Sequence, residues 1–172
     1  KFYTDINDAI NDSDTLIFAT PSPFLKQHLM KVTTPLNDKF IISAIKGIVP
    51  DENMLIADYF TEYYNVPMEN IAVIGGPCHA EEIALERLSY ITLACSNIDN
   101  ARAVAHVFQN QYLNNYCCKD VRGIEYASVL KNVYAIVAGI CHGMKYGDNF
   151  LAVFICNAIE EMRNFLNSVH SL

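Results

Sequence analysis

Short apolar runs of strand type alternate with helical stretches through the first 119 residues, and this alternation constrains the fold more than any other feature of the sequence. Four runs have the composition of buried strands, at residues 15–20, 40–44, 71–74 and 90–95. Helical patterns separate or follow them, at residues 24–32, 50–64, 80–87 and 101–109. Because strands spaced by helices are typical of crossover connections, the pattern predicts a parallel sheet with right-handed crossovers.

The pattern changes at Lys119-Asp120. Beyond it the sequence carries no convincing strand, only two long helical patterns at residues 121–139 and 150–169, and Gly139, Gly143 and Gly147 are expected to break the chain between them. We therefore predict α/β followed by all-α. Residues 1–119 would form a partial dinucleotide-binding α/β domain, and residues 120–172 the start of a helical substrate or catalytic domain.

Composition limits the classes of partner. Of the 172 residues, 52% are hydrophobic and 18% are charged, which allows a sizeable core. The net charge of −7, without a cluster of Lys and Arg, argues against a nucleic-acid or anionic-membrane surface. No run approaches the roughly 18 apolar residues of a membrane span, so we expect no stable membrane insertion. A small anionic ligand is still compatible with this net charge, since a single pocket needs only a few cationic side chains to bind it.

The six cysteines favour a reduced, cytoplasmic protein. They include no C-x-x-C pair, and several lie inside apolar runs, as reduced cysteines do. Cys78-His79 and Cys141-His142 lack the ligand spacing of a zinc site, so no metal is expected.

Lys131 is the residue with the clearest chemical potential. It lies in a helical stretch that is apolar nearly all round and therefore expected to be buried. Its neighbours at helical spacing, Ala127, Ser128 and Ala135, are small and leave space beside the ammonium group. A lysine there loses part of its hydration, which favours the neutral form and suits it to exchange protons. The alternative is a snorkelling lysine whose head reaches water.

Loops at the ends of three predicted strands are the other candidates, because open α/β sheets bind ligands at strand ends. Phe24 follows a proline-rich turn, Lys46 directly follows a strand in Ser43-Ala44-Ile45-Lys46-Gly47, and Gly75-Gly76-Pro77-Cys78 precedes a short helix. The glycines would let a ligand approach the backbone. Each loop also has a plainer interpretation: a core phenylalanine, an exposed lysine and an ordinary strand–helix turn. His79 is expected to be a local turn residue.

The sequence lacks the strand–GxGxxG–helix opening of a dinucleotide-binding domain. It opens at Lys1 apparently in the middle of a domain and ends after only two helices of the second unit. We therefore expect the chain to be the middle of a longer protein.

Taken in order, the motifs resemble those of the NAD(P)-dependent glycerol-3-phosphate dehydrogenases over essentially the whole chain. The matching stretches are Ala19-Thr20-Pro21-Ser22, Ser43-Ala44-Ile45-Lys46-Gly47, Gly76-Pro77-Cys78-His79-Ala80-Glu81-Glu82, Gly123-Ile124-Glu125, Leu130-Lys131-Asn132-Val133, residues 139–149 and Asn157-Ala158-Ile159-Glu160-Glu161-Met162. The resemblance implies a partial Rossmann-like sheet and the first helices of a helical substrate domain.

The resemblance also implies an activity: interconversion of dihydroxyacetone phosphate and sn-glycerol 3-phosphate with NAD or NADP, feeding glycerophospholipid synthesis. By family likeness Lys131 is the general acid/base, and Lys46 contacts substrate and cofactor. Gly76, Cys78 and Asn132 match substrate contacts, and Phe24 and Ala80 match cofactor contacts. Position 78 is more often serine or threonine in the family, and cysteine weakens that hydrogen bond.

The resemblance leaves several alternatives open. A related two-domain hydroxyacid or ketopantoate dehydrogenase would share this plan, and a non-catalytic remnant would bind only a partner or a nucleotide. The residue that selects NAD or NADP would precede Lys1, and a homodimer is compatible with the sequence. The family's glycine-rich loop, and the later segment that carries its aspartate and arginine–asparagine pair, have no match in this sequence, so the chain by itself is expected to be inactive.

Overall fold

The computed structural model of the protein describes residues 1–169. Its five-stranded sheet has the order β1-β2-β3-β4-β5. The strands are β1 Thr15–Phe18, β2 Phe40–Ser43, β3 Ile71–Gly75, β4 Ser89–Cys95 and β5 Leu113–Cys118. The helices are α1 Ile6–Asn11, α2 Ser22–Leu29, α3 Ile56–Tyr64, α4 Ala80–Ala84, α5 Ile98–Phe108, α6 Val121–Gly143 and α7 Asp148–Val169. The predicted fold class, α/β followed by all-α, is confirmed.

The sheet is not parallel throughout, which corrects the sequence prediction. Strands β1, β2 and β3 run parallel, but β4 pairs antiparallel with β3, and β5 runs parallel to β4. The connection from β3 to β4 contains only the five-residue helix α4. Residues 76–88 are long enough for a parallel crossover, but such a connection usually runs through a full-length helix across the sheet face. Because α4 is too short to cross that face, β4 enters the sheet at the edge where β3 leaves it.

Strand β5 and helix α1 were not predicted. The β5 sequence contains Asn114 and Asn115, which have low strand propensity, yet all six of its residues pair with β4. Tertiary pairing therefore overrides local preference here. Helix α1 has six residues and is capped by Asp5, whose carboxylate accepts a hydrogen bond from the Asn7 amide at 2.8 Å.

The helix predicted from residue 50 begins later, at Ile56. The intervening residues form a turn in which the Val49 amide donates to the Met54 carbonyl at 2.8 Å. This bridge pulls the chain into a tight loop before α3, and local hydrogen bonding there replaces the first helical turns.

Two apolar clusters cover the two faces of the sheet. Consecutive β2 residues point to opposite faces, so Ile41 joins one cluster and Ile42 the other. The first cluster packs α2 and α3 against the sheet, with Leu25 and Phe60 fully buried. The second packs α5 against the opposite face through Ala101 and Val104. These clusters fix the loops that follow the strands.

The chain divides into two compact units, one comprising Lys1–Glu125 and a second beginning at Tyr126. The division falls inside α6, whose buried residues Val121, Gly123 and Glu125 all belong to the first unit. The boundary between domains that the sequence predicts at residue 119 stays a prediction. Among the described residues, the second unit consists of the rest of α6 and α7.

The expectation that the Lys131 helix is buried is wrong for the described chain. The apolar side chains of α6 are largely exposed, with Ile136 at 67%. An apolar helix needs a second layer to cover it, and in the second unit only α7 is available. Gly139 does not break α6 either, since a glycine inside a helix costs only about 1 kcal/mol and the helix continues to Gly143.

Helix α6 is long and apolar enough to cross a membrane by length and composition alone, although the sequence predicted no such segment. This is weak evidence, because a core helix of a soluble protein meets the same criterion.

Candidate active site

The loops that follow β1, β2 and β3 lie at one edge of the sheet, because these three strands run parallel. The first two loops are tied together by hydrogen bonding and close packing. The Ala44 amide donates to the Phe18 carbonyl at 2.9 Å. Gly47 has φ +110°, and a Cβ there would lie 2.7 Å from the Ser22 Oγ. Glycine at position 47 thus allows both the left-handed turn and the close approach of α2.

Lys46 extends from the second loop to the third. Its Nζ donates a hydrogen bond to the carbonyl oxygen of Ile74 at 2.7 Å, and the residue is exposed. Ile74 is the penultimate residue of β3. The ammonium group therefore lies at the carboxyl end of β3, beside Gly76. The sequence predicted a cation at this edge, and the structure provides one there.

Gly76 begins the third loop, with φ +111°. A Cβ at this position would lie 3.0 Å from the Tyr90 carbonyl oxygen and 3.3 Å from the Ile91 Cα, so the backbone of β4 excludes a side chain. The next residues, from Pro77 to Ala80, are all exposed. The loop from Gly76 to Ala80 is therefore accessible to solvent on one side, and at Gly76 it packs closely against β4 on the other.

Cys78, His79 and Ala80 occupy that exposed loop. Cys78 is a free thiol, His79 is the N-cap of α4 with no side-chain cap hydrogen bond, and Ala80 is the first residue of α4. The amides of Glu82 and Ile83 donate to the His79 carbonyl at 3.1 Å each, so the turn uses them internally. His79 thus occupies a local turn, where the sequence placed it.

Phe24 lies in the first turn of α2, which follows the proline-rich loop after β1. Its side chain is 53% exposed, so it is not the core phenylalanine of the plainer interpretation. An exposed aromatic ring at the loop edge can stack on a planar group.

Lys131 and Asn132 belong to the second unit, and both are exposed. Lys131 borders an apolar groove of about 270 Å³ between α6 and α7, formed with Tyr134, Ala135 and Ala158 among others. The lining of this groove is almost entirely apolar. The partial dehydration expected for the ammonium group is not present in the described chain.

Glu125 is a buried acid that the sequence interpretation passed over. It is only 4% exposed, and both carboxylate oxygens lie 3.3 Å from the Ala57 amide, which donates to them at the start of α3. Burial raises the pKa of Glu125 to about 8, opposed by the backbone hydrogen bond from Ala57. The sequence signal that could have indicated Glu125 is a single acidic residue in a helical stretch that is mostly apolar.

Metal binding finds no support in residues 1–169, where no group of three or more His, Cys, Asp and Glu side chains could hold an ion. All six cysteines are free thiols.

The fold and the strand-end loops define a class: an α/β domain of the nucleotide-binding type, followed by long helices. Family models narrow this class. The model described as the NAD-dependent glycerol-3-phosphate dehydrogenase N-terminus matches residues 1–101, and the corresponding C-terminus model matches residues 120–171. The chain belongs to the NAD-dependent glycerol-3-phosphate dehydrogenase family.

Curated relatives support this membership. The NAD(P)+ glycerol-3-phosphate dehydrogenase of Lysinibacillus sphaericus is 36% identical over 163 residues, covering 92% of this chain and 48% of the relative. That of Ligilactobacillus salivarius is 34% identical over 169 residues, covering 94% and 49%. The chain thus spans about half the length of the curated relatives it matches.

Solved structures agree in fold. The structure of DsGPDH from Dunaliella salina has a TM-score of 0.85 at 28% identity, covering 99% of this chain and 30% of that one. The structure from Plasmodium falciparum has a TM-score of 0.85 at 27% identity, covering 96% and 46%.

Proposed function

We propose that the intact protein carrying this chain interconverts dihydroxyacetone phosphate and sn-glycerol 3-phosphate with NAD or NADP. The observation that supports this most is the Lys46 ammonium group, held by the Ile74 carbonyl at the carboxyl end of β3, next to Gly76. A cation beside open backbone is suited to an oxygen that gains negative charge during reduction.

The residues at the loop edge fit a nicotinamide nucleotide. Phe24 offers an exposed ring, Lys46 offers a cation, and the loop from Gly76 to Ala80 offers exposed backbone without a side chain at position 76. We assign Phe24, Lys46 and Ala80 to cofactor binding. The bound cofactor would supply the hydride that reaches the C2 carbon.

We assign substrate binding to Lys46, Gly76, Cys78, Lys131 and Asn132. In the direction of reduction, the Lys131 ammonium group gives a proton to the C2 oxygen; in oxidation, the neutral amine takes it back. Lys46 stabilises negative charge on the same oxygen without transferring a proton. Cys78 contributes its backbone amide, since a thiol is a weak donor.

The test measures NAD(P)H oxidation by the intact protein with dihydroxyacetone phosphate, and then with ketopantoate and small 2-keto acids. Lys131→Met should lower kcat by about 10²- to 10⁴-fold, the usual contribution of a general acid/base. Lys145→Met is the matched control, because Lys145 is an exposed lysine of the same unit that we place outside the site.

The outcomes separate the alternatives. Turnover of ketopantoate or a 2-keto acid in preference to dihydroxyacetone phosphate would assign the chain to a related dehydrogenase. If Lys131→Met changes neither kcat nor its pH profile, the protein is a non-catalytic remnant or uses another proton donor. We expect the 172-residue chain by itself to show no turnover. A homodimer and a cytoplasmic location stay predictions.

A further inference from the structure

The first turns of helix α6 are attached to the first turn of helix α3. Glu125 lies across the N-terminus of α3, and its carboxylate accepts from the Ala57 amide. The N-cap residue of α3, Leu55, has no side chain that could do this. A residue 68 positions away thus provides the cap that the local sequence lacks.

A second link lies beside the first. The Arg122 guanidinium donates two hydrogen bonds to the Asp58 Oδ1, at 2.9 and 2.8 Å, and a longer one to Oδ2 at 3.3 Å. Asp58 is in the first turn of α3. Arg122 and Glu125 are three residues apart on α6, so one face of its first turn holds both links.

The start of α6 is also held by apolar packing and by a cap of its own. Val121 is buried in the first apolar cluster, and the Asp120 carboxylate accepts from the Gly123 amide at 2.8 Å. A Cβ at position 123 would lie 1.9 Å from an Asp120 carboxylate oxygen, so this cap requires glycine as it stands. The start of the helix that carries Lys131 is therefore held by contacts within the first unit.

We infer that Glu125 is a positioning residue of the proposed dehydrogenase reaction: by capping α3 from α6, it fixes the base of the helix from which Lys131 reaches the substrate. Lys131 lies six residues after Glu125 on that continuous helix. This inference rests on the proposed function only for the role of Lys131; the attachment itself rests on Glu125, Ala57 and Leu55. Proton transfer depends steeply on where the Lys131 amine lies relative to the substrate oxygen. Loosening the start of α6 should therefore reduce turnover more than it weakens binding.

The test compares three variants of the intact protein. Glu125→Ala removes the cap, whereas Glu125→Gln keeps an acceptor oxygen at the same reach. Asn97→Ala is the matched control, because Asn97 caps α5 by accepting from the Asp99 amide at 3.0 Å and belongs to neither link. Each variant is measured for kcat, for the KM values of cofactor and substrate, and for amide hydrogen exchange.

Glu125→Ala should lower kcat about ten-fold or more, with the cofactor KM changed less than about two-fold, since misplacement affects the chemical step most. Glu125→Gln should restore kcat to within about three-fold of wild type. Asn97→Ala should leave kcat within about two-fold of wild type, although it removes a helix cap that stabilises the fold by a comparable amount. Equal kcat losses in Glu125→Ala and Asn97→Ala would overturn the inference, because the effect would then be general destabilisation.

Hydrogen exchange tests the attachment without any activity. Glu125→Ala should speed exchange in residues 55–60 and 120–131, and Asn97→Ala should not. Unchanged exchange there would overturn the inference whatever the kinetics. If Glu125→Ala speeds exchange in these residues but the wild-type protein does not reduce dihydroxyacetone phosphate, the proposed function fails while the attachment of α6 to α3 stands.

Discussion

The two units of this chain bury their apolar residues very differently. The first unit closes a core on both faces of its sheet, with Phe60, Leu25 and Ile41 fully buried. In the second unit, α7 buries only Ala158 among its described residues, and α6 buries nothing after Glu125. A sheet covered by helices on both faces closes a core, whereas two helices alone cannot. Apolar side chains therefore form a packed core in one unit and exposed surface in the other.

The largest expected effect is a core deletion in the first unit. Phe60→Ala should lower the free energy of unfolding by about 3–5 kcal/mol, because it removes a fully buried ring and leaves a cavity. Ile136→Ala in the second unit should change it by no more than about 0.5 kcal/mol, because Ile136 is exposed. Urea unfolding of the intact protein measures both. Comparable losses would mean that a further layer covers α6 and that the contrast belongs to the described chain alone.

The next effect is a dependence on pH that belongs to the first unit. Burial raises the folded-state pKa of Glu125 from 4.5 to about 8, with the nearby Asp58 carboxylate raising it and the Arg122 guanidinium lowering it. The folded state then binds more protons than the unfolded state, so stability falls as pH rises from about 4.5 to about 8. Glu125→Gln should remove this fall, which is on the order of a few kcal/mol. Unfolding curves across that pH range measure it, and parallel curves for wild type and variant would contradict it.

A pair of glycine substitutions should have opposite signs in the two units. Gly76→Ala should destabilise by about 1–3 kcal/mol, since position 76 has positive φ and the backbone of β4 blocks its Cβ. Gly139→Ala should stabilise by up to about 1 kcal/mol, since no atom lies within 4 Å of its Cβ and alanine favours helix. Thermal unfolding compares the two, and a destabilising Gly139→Ala would reveal a close neighbour of α6.

The smallest expected effect concerns two ion pairs. Arg122 makes a forked contact with Asp58, whose side chain is only 22% exposed, whereas Arg163 contacts Glu160 once, at 3.4 Å, with both side chains exposed. Arg122→Gln should cost about 1 kcal/mol, and Arg163→Gln less than about 0.5 kcal/mol. Equal costs in urea unfolding at low salt would show that the geometry of the Arg122 pair adds nothing.

Much of the site could be predicted from the order of residues along the chain. Lys46 lies three residues after the end of β2, and Gly76 directly follows β3, so both are expected at the carboxyl ends of these parallel strands. These features depend on neighbours in sequence. Glu125 could not be predicted in the same way, because its burial depends on a helix N-terminus far away in the chain.

The sequence by itself determined the positions of the four predicted strands, the change from α/β to helices, and the lysine and glycine at the strand ends. All of these follow from local hydrophobic pattern and turn chemistry. Only the tertiary structure decided the antiparallel entry of β4, the pairing of β5, the capping of α3 by Glu125 and the exposure of Lys131. These depend on which distant segments meet, and burial is a property of those contacts rather than of any single residue.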